Sequence, residues 1–277
     1  MGPGSYSAHK KKPRSGQSQR PQVQSENVAG MADDIIVGRH PVLEALRSGR
    51  SFQRVWISKS ARPEGSVREI VGLSREKGII IHDVPRAKLD ELAGSSNHQG
   101  VVALVSPVAV VGLDDVHQLV VKRGLDAFLI MLDQIQDPQN LGAIIRVANA
   151  AGADAVIMPA RNTAPVNRVV QKASAGAAEE IPIAVVPNLA QAIATVKKWG
   201  VFVYGAEPRG DVLYTECDFR HPTALIIGSE GKGIRPLVRK QCDQTVRLPM
   251  SGQVASLNAA TACAVLAFEV VRQRQTS

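Results

Sequence analysis

Short apolar runs alternate with amphipathic stretches along most of the chain, beginning at Ile35. In the first series, β-branched runs predict strands, and the segments between them have the spacing of amphipathic helices. The strands are expected at Arg54–Lys59, Ile79–Val84 and Val101–Val105, and the helices at Pro41–Arg47, Ser66–Lys77 and Arg86–Ala93. This part of the chain, roughly 70 residues, therefore predicts a small α/β unit.

A second and longer series shows the same alternation. Its strands are expected at Ala127–Gln134, Ala155–Pro159, Ile181–Val186, Val201–Gly205, Ala224–Gly228 and Thr245–Leu248. Its helices are expected at Leu141–Ala151, Val166–Ala178, Ala190–Trp199, Pro236–Gln241 and Ser256–Arg274. Strict alternation predicts an α/β fold whose mostly parallel sheet carries helices on both faces. We expect a site at the carboxyl ends of those strands, where such folds bind ligands.

The remaining segments divide the chain into domains. Residues 1–33 are rich in Ser, Gln, Gly and Pro and lack apolar periodicity, which predicts a disordered basic tail. Residues 34–106 are expected to form the small domain and residues 125–277 the larger one. Residues 107–124 are expected to connect the two domains. The linker sequence is Ser106–Gly112, and a helix is expected at Asp114–Lys122. The tail is either an arm that anchors RNA or a solubilising leader.

Composition excludes several classes of protein. The longest uninterrupted run of aliphatic and aromatic residues, Ala127–Leu132, is far shorter than the roughly 20 residues of a membrane-spanning helix, and no signal peptide opens the chain. We therefore expect a cytoplasmic protein with no membrane partner. Cys217, Cys242 and Cys263 include no C-x-x-C pair, and the six histidines never fall at metal-ligand spacing. The cysteines are therefore expected to be thiols in the core, and neither residue type predicts a metal site.

The net charge of +8 is compatible with a polyphosphate partner, but half of it lies in the tail. Residues 1–30 carry +4, whereas residues 31–106 and residues 107–277 carry +2 each. An aromatic content of 4% argues against a base-stacking platform, so RNA recognition is expected to use shape and phosphates. Arg39 and His40 either contact RNA or only begin a helix.

Familiar motifs of nucleotide and hydrolase chemistry are missing. No G-x-G-x-x-G follows a strand, and neither a phosphate-binding G-x-x-x-x-G-K-[ST] nor a G-x-S-x-G elbow occurs. The nearest pattern, Gly228–Gly233, has the glycines and a lysine at the wrong spacing for a phosphate loop. Dinucleotide-dependent, NTP-hydrolysing and serine-hydrolase functions are therefore not predicted.

Three polar segments follow predicted strands. Asp137–Arg146 (DPQNLGAIIR) opens a helix, and Asn140 is either the N-cap of that helix or a functional residue. Arg146 lies among small and apolar residues, and an isolated arginine in such surroundings is expected to have an anionic partner. Leu225–Gly233 runs from a buried strand into a glycine-rich turn carrying Glu230. Leu248–Asn258 ends in Ser256 and Asn258, which either cap the last helix or face a ligand.

The stretch after the second segment is basic. Residues 231–247 carry a local charge of +4, to which Lys232 and Arg235 contribute. These side chains are candidates for phosphate contacts, although an exposed basic helix face is an ordinary feature of soluble proteins.

Taken together, the three segments resemble the motifs of the SpoU (TrmH-like) branch of the SPOUT RNA ribose methyltransferases. DPQNLGAIIR, IIGSEGKGI and LPMSGQVASLNA occur in the order of that family. Val37–Leu46 and His98–Ala103 are similar to the two ends of the L30e-like RNA-binding domain found in the 23S rRNA guanosine 2′-O-methyltransferases of the family. The resemblance favours a ribosomal RNA substrate.

The resemblance implies more than the alternation of elements shows. It implies a SPOUT domain whose carboxyl-terminal part forms a deep trefoil knot, binds S-adenosylmethionine and holds a homodimer in which both protomers contribute to each active site. The residues that match its cofactor-binding positions are Ala206, Ile227, Gly228, Leu248, Pro249, Met250 and Leu257. The implied partner is 23S rRNA, and no metal is implied.

The resemblance also implies the reaction, which is methyl transfer to a ribose 2′-hydroxyl. Arg146 matches the arginine thought to act as the base or to orient the nucleophile, and because a guanidinium stays protonated, we expect it to clamp a phosphate or the ribose oxygen. Asn140 and Glu230 are expected to hold Arg146 and the ribose, and Ser256 and Asn258 to support the knot and the nucleophile. Three alternatives stay open: transfer RNA, the ribosomal adenosine methylated by thiostrepton-resistance enzymes, and a non-catalytic RNA-binding or ribosome-assembly protein.

Overall fold

The computed structural model describes residues 1–2, 34–61, 65–254 and 256–275, so most of the predicted tail lies outside the described residues. In the first unit the strands are β1 (Ile35–Val37), β2 (Phe52–Ser58), β3 (Ile80–Val84) and β4 (Val101–Val105), and the helices are α1 (Arg39–Arg47), α2 (Ser66–Glu76) and α3 (Arg86–Ala93). The sheet has the order β1-β4-β2-β3, with β4 antiparallel to both neighbours and β2 parallel to β3.

A second sheet contains the rest of the strands. They are β5 (Val110–Val111), β6 (Phe128–Asp133), β7 (Ala155–Pro159), β8 (Ile183–Val186), β9 (Phe202–Ala206), β10 (Val212–Leu213), β11 (Thr223–Gly228) and β12 (Gln244–Arg247). The order is β10-β12-β9-β11-β6-β7-β8-β5, and every pairing is parallel. The predicted parallel α/β sheet is therefore confirmed.

Helices cover both faces of this sheet. They are α4 (Leu113–Arg123), α5 (Pro138–Ala150), α6 (Arg168–Ala173), α7 (Ala177–Glu180), α8 (Leu189–Lys198), α9 (Pro236–Arg239) and α10 (Ala259–Gln275). One core lies under α5, α6, α7 and α10, and the other lies under α4, α8 and α9. Strands buried on both faces explain why the sequence shows continuous apolar runs in this region.

Two predicted elements are different in the structure. The single helix expected at Val166–Ala178 is two short helices, because Ala175 (φ 51°) and Gly176 (φ 91°) take left-handed conformations between them. Within the segment expected to be a linker, Val110–Val111 forms the edge strand β5 beside β8. These two β-branched residues favour an extended backbone, and they pair with β8 at the edge of the sheet.

Glycines allow unusually close backbone crossings in the carboxyl-terminal part of the chain. A Cβ on Gly210 would lie 2.4 Å from the carbonyl carbon of Val246, and one on Gly142 would lie 2.4 Å from the Cβ of Ala173. Neither approach is possible with a side chain at the glycine. The trefoil threading implied by the family resemblance stays a prediction.

The two sheets are joined at a buried side-chain anchor. An irregularity in the pairing of β2 and β4 lies between Phe52 and Arg54 and leaves Gln53 outside the regular ladder. Gln53 is 2% exposed; its Nε2 donates to the Val166 carbonyl (2.6 Å), and its Oε1 accepts from the Val166 amide (3.0 Å). One side chain of the small unit thus satisfies both backbone groups of a residue in the large unit.

Replacing Gln53 by alanine is expected to lower the free energy of unfolding by about 1–3 kcal/mol, because a buried amide and carbonyl lose their partner. Chemical denaturation measures the change. Gln171→Ala is the matched control, since Gln171 bonds Glu179 at the surface and its loss is expected to cost less than about 0.5 kcal/mol. Equal stabilities of the two variants would refute the anchor.

Candidate active site

The carboxyl ends of β6, β9 and β11 lie side by side, because these strands are neighbours in a parallel sheet. β6 ends in Asp133, whose side chain is fully buried. It accepts from the Arg235 backbone amide (2.8 Å) and from Arg235 Nε (2.7 Å). Asp133 therefore holds the far end of the glycine-rich turn that follows β11 against the end of β6.

Helix α5 follows β6 in the chain. The sequence left open whether Asn140 is the N-cap of this helix or a functional residue, and the structure shows that it is not the N-cap. Asp137, not Asn140, is the N-cap, and its carboxylate accepts from the backbone amides of Gln139 (3.3 Å) and Asn140 (3.1 Å). Pro138 takes the first helical position, where its missing N–H costs nothing. The side chain of Asn140 is therefore free for another role.

Asn140, Glu230 and Asn258, from the three polar segments, meet in one hydrogen-bonded cluster. Asn140 Nδ2 donates to Glu230 Oε1 (2.9 Å), and Asn258 Nδ2 donates to the same oxygen and to Asn140 Oδ1 (2.9 Å). Asn258 Oδ1 also accepts from the amides of Ala260 (2.9 Å) and Thr261 (3.3 Å), so this residue caps α10 as well. Asn258 therefore caps α10 and also joins the cluster, while its predicted contact with a ligand stays a prediction.

A cavity of about 190 Å³ lies beside this cluster. Six of the seven residues predicted to contact the cofactor line it, namely Ala206, Ile227, Gly228, Leu248, Met250 and Leu257, whereas Pro249 is not among its lining residues. Glu230, Lys232 and Ser256 also line it. Its wall combines apolar side chains with glycine backbone, which suits a purine and its attached ribose.

Gly228 is where the backbone closes most tightly around the cavity. A Cβ at this position would lie 2.3 Å from the carbonyl carbon of Gly233, and Ser229 and Gly233 exchange backbone hydrogen bonds of 3.1 and 2.9 Å. Gly231 (φ 78°) and Gly233 (φ 62°) make the return possible. The turn is therefore a compact loop that presents Glu230 and Lys232 at the mouth of the cavity.

Arg146 lies apart from the cluster within one chain. It is exposed on α5 and makes no hydrogen bond or ion pair with any described residue. Six residues of helix place it about 120° around the axis and about 9 Å along it from Asn140. Within this chain Asn140 and Glu230 bond Asn258. Their expected role of holding Arg146 and the ribose stays a prediction.

The predicted RNA-binding residues of the small unit lie at one end of its sheet. The backbone amide of Arg39 donates to Gln99 Oε1 (3.3 Å), its Nε donates to the Gln99 carbonyl (2.8 Å), and His40 is exposed beside it. Buried His98 supports this loop, since its Nδ1 accepts from the Gly100 amide (2.9 Å) and its Nε2 lies 3.1 Å from Asp90 Oδ1. No side chain caps α1. RNA contact by Arg39, His40, Lys232 and Arg235 stays a prediction.

Two acidic residues of the site were missed by sequence reasoning. Asp133 ends an apolar strand, and a carboxylate at that position was a usable signal. Glu207 directly follows β9, lines the cavity and has a side chain only 14% exposed. Its neighbour Ala206 was predicted to contact the cofactor, and this was the one available signal for Glu207.

The three cysteines are ordinary thiols. Burial is the main cause that raises the pKa of Cys217 to about 11 and the pKa values of Cys242 and Cys263 to about 12, and for Cys242 nearby Glu207 adds to the effect. Within the described ranges no group of three His, Cys, Asp or Glu residues could hold a metal ion. In the same part of the chain no helix is long and apolar enough to cross a membrane.

Comparison with family models gives two matches. Residues 127–268 match the SpoU rRNA methylase family, and residues 35–110 match the substrate-binding domain of RNA 2′-O ribose methyltransferases. The first match includes the cluster and the cavity, and the second covers all four strands of the small unit.

Relatives and solved structures agree with these matches. The chain is 39% identical over 241 residues to a Bacillus subtilis (strain 168) protein assigned to the TrmH family of tRNA/rRNA methyltransferases, YacO, covering 87% of this chain and 96% of that one. It is 40% identical over 245 residues to a counterpart from Staphylococcus haemolyticus (strain JCSC1435), covering 88% and 97%. The SpoU methyltransferase AviRb from Streptomyces viridochromogenes, in complex with its cofactor AdoMet, superposes with a TM-score of 0.57 at 26% identity, covering 88% and 91%.

The parallel α/β fold, the cavity at its strand ends and these similarities define an S-adenosylmethionine-dependent RNA methyltransferase. The cavity fits that cofactor, because its apolar wall and its glycine backbone can pack against a purine, and its polar lining residues offer hydrogen-bond partners. The chain belongs to the SpoU rRNA methylase family, also called SpoU/TrmH.

Replacing Glu230 by alanine is expected to lower the rate of methyl transfer about 100-fold, because Asn140 and Asn258 then lose the oxygen that aligns them. Glu230→Gln keeps an acceptor oxygen and is expected to lose less. Rates of tritium transfer from labelled S-adenosylmethionine to a substrate RNA measure both, with Glu76→Ala, an exposed carboxylate on α2, as the control. Unchanged activity of Glu230→Ala would contradict this role.

Proposed function

We propose that the protein methylates the ribose 2′-hydroxyl of a guanosine in 23S rRNA, in the cytoplasm and as a homodimer held by a knotted carboxyl-terminal domain. The observation that carries the proposal is the small unit in front of the methyltransferase unit, which matches a substrate-binding domain of RNA 2′-O ribose methyltransferases. We propose residues 34–106 as this RNA-binding domain, residues 107–124 as the connection and residues 125–277 as the SPOUT domain.

The cofactor supplies a methyl group activated by a positively charged sulfur, so the chain's task is to position a weak nucleophile. Ala206, Ile227, Gly228, Leu248, Pro249, Met250 and Leu257 are proposed to hold the cofactor. Glu230 Oε1 is occupied by two amides, whereas Oε2 has no hydrogen-bond partner among the described residues. We assign Oε2 to holding the ribose in register, with Asn140, Asn258 and Ser256 supporting it.

Arg146 is proposed to reach this site from the other subunit. The first ten residues of helix α10, Ala259–Phe268, are apolar except for Thr261, and Val265 (37% exposed) and Phe268 (48% exposed) leave part of that surface uncovered. A second copy packed on this surface would cover it. Arg146 of the partner subunit then clamps the substrate phosphate or ribose oxygen, and its charge favours proton loss to phosphate or water.

The target is tested by mapping methylated positions. After incubation with S-adenosylmethionine, 23S rRNA and total transfer RNA transcripts are probed by primer extension, which stops at 2′-O-methylated riboses at low nucleotide concentration. A stop at one guanosine of 23S rRNA, with none in transfer RNA, is the expected result. A stop at an adenosine, or only in transfer RNA, would replace the proposed target by that one. Absence of transfer to either RNA would favour a non-catalytic role.

A further inference from the structure

Glu207 carries a largely buried carboxylate on the wall of the cofactor cavity. Its backbone is fixed, since its amide donates to the Val246 carbonyl (2.9 Å) and its carbonyl accepts from the Gly210 amide (3.1 Å). Its side chain is only 14% exposed and lines the cofactor cavity. No described residue donates a hydrogen bond to either carboxylate oxygen, whereas buried polar groups in folded proteins nearly always have a partner.

The charge of Glu207 is nevertheless balanced. Arg239 Nη1 lies 3.7 Å from Glu207 Oε2, close enough for a Coulombic pair and too far for a hydrogen bond. Lys232 adds a second positive side chain at the same cavity. The carboxylate therefore lacks neutral donors rather than a counter-ion, and a further cation in this place would be repelled by Arg239 and Lys232.

A structural ion pair with Arg239 does not account for this arrangement. The Arg239 side chain is 47% exposed, and ion pairs with one exposed partner contribute little to stability. The carboxylate lines the cavity and accepts no hydrogen bond from the described residues, so a ligand in the cavity that carries hydroxyl groups can donate to it.

We propose that Glu207 binds the two ribose hydroxyls of S-adenosylmethionine and so determines the specificity of the cavity for an intact ribose. Vicinal hydroxyls offer two neutral donors to the two oxygens of one carboxylate. An acidic residue beyond a strand end binds ribose hydroxyls in the same manner in other parallel α/β proteins. Glu207 lies directly after the last residue of β9, in the loop at the carboxyl edge of the sheet.

Calorimetric titration with S-adenosylhomocysteine tests the proposal without any turnover. Glu207→Ala is expected to weaken binding about 10- to 100-fold, because two hydrogen bonds to a charged group are lost. Glu207→Gln, which keeps one acceptor oxygen, is expected to lose less. Glu216→Gln, an exposed carboxylate that is not among the lining residues of the cavity, is the control and is expected to change affinity less than about 3-fold.

Two further ligands identify the group that Glu207 contacts. 5′-Methylthioadenosine keeps the ribose and lacks the amino acid, so it is expected to show the same fold-loss with Glu207→Ala as S-adenosylhomocysteine. The 2′,3′-dideoxy analogue of S-adenosylhomocysteine is expected to bind wild type and Glu207→Ala equally. If Glu207→Ala lowered the affinity for S-adenosylhomocysteine only, Glu207 would contact the ammonium group and the proposal would be overturned. Unchanged affinity of Glu207→Ala for every ligand would overturn it as well. Thermal denaturation of each variant without ligand checks that the fold is kept.

Discussion

Methyl transfer is expected to fall about 100-fold or more when Arg146 is replaced by alanine, while the affinity for S-adenosylmethionine stays unchanged. The fold explains why the rate of methyl transfer is expected to fall while the affinity for the cofactor stays the same. Arg146 is exposed on α5, lines no part of the cofactor cavity and has no partner among the described residues, so its loss removes no contact on which the folded chain depends. Rates on 23S rRNA and calorimetry with S-adenosylhomocysteine measure the two quantities. Arg75→Ala, an exposed arginine of α2, is the matched control.

Mixed dimers decide whether Arg146 acts across the subunit boundary. Arg146→Ala and Asn258→Ala chains, each inactive alone, are co-expressed with different tags in equal amounts. If each site uses Asn258 of one chain and Arg146 of the other, half the dimers contain one intact site, and the mixture regains about one quarter of wild-type activity. Were both residues used from the same chain, no dimer would contain an intact site, and the mixture would stay inactive. Near-normal transfer by Arg146→Ala alone would refute its role altogether.

A single methyl group at Gly228 is expected to have the second large effect. Gly228→Ala would place a Cβ 2.3 Å from the Gly233 carbonyl carbon and 2.5 Å from the Ile234 amide nitrogen, both in backbone that Asp133 and the Ser229–Gly233 pair hold fixed. We expect the free energy of unfolding to fall by about 3 kcal/mol or more and cofactor binding to be lost, because the turn must open to relieve the clash.

Gly252→Ala is the matched control for this variant. Gly252 lies in the loop after β12, a Cβ added to it would meet no atom within 4 Å, and its φ is not positive. Its substitution is expected to change stability by less than about 0.5 kcal/mol. Chemical denaturation and calorimetry compare the two variants. Normal cofactor affinity in Gly228→Ala would show that the turn is not the rigid wall that its crossing distances indicate.

Periodicity was sufficient to predict the long strands and helices of the large unit, because runs such as Phe128–Leu132 are buried on both faces of a parallel sheet. It was insufficient where local backbone conformation decides the outcome. Ala175 and Gly176 divide a helix that the apolar spacing predicted as continuous, and Asp137 rather than Asn140 caps α5. The Asp-Pro pair contained that second signal, since proline favours the position directly after an N-cap.

The site itself was predictable only in part. Asn140 and Glu230 are 90 residues apart in the chain, and Asn140 and Asn258 are 118 apart, so no spacing rule relates them. The meeting of Asn140 and Glu230 depends on β6 and β11 being neighbours in the sheet, which the strand order shows and which was not predicted from the sequence. Asp133 and Glu207 were missed although one ends an apolar strand and the other follows Ala206, because it is the burial of their carboxylates that marks them as part of the site, and burial is not read from spacing.

The three thiols give the protein a practical property. Cys217 and Cys263 are buried, and pKa values of about 11 to 12 keep all three cysteines protonated at neutral pH, whereas alkylating reagents react with the thiolate. A cysteine introduced at an exposed position, such as Val254, would therefore be modified long before the native ones. The natural sequence can thus carry a single fluorescent or spin label, without removal of any cysteine, to follow RNA docking in real time.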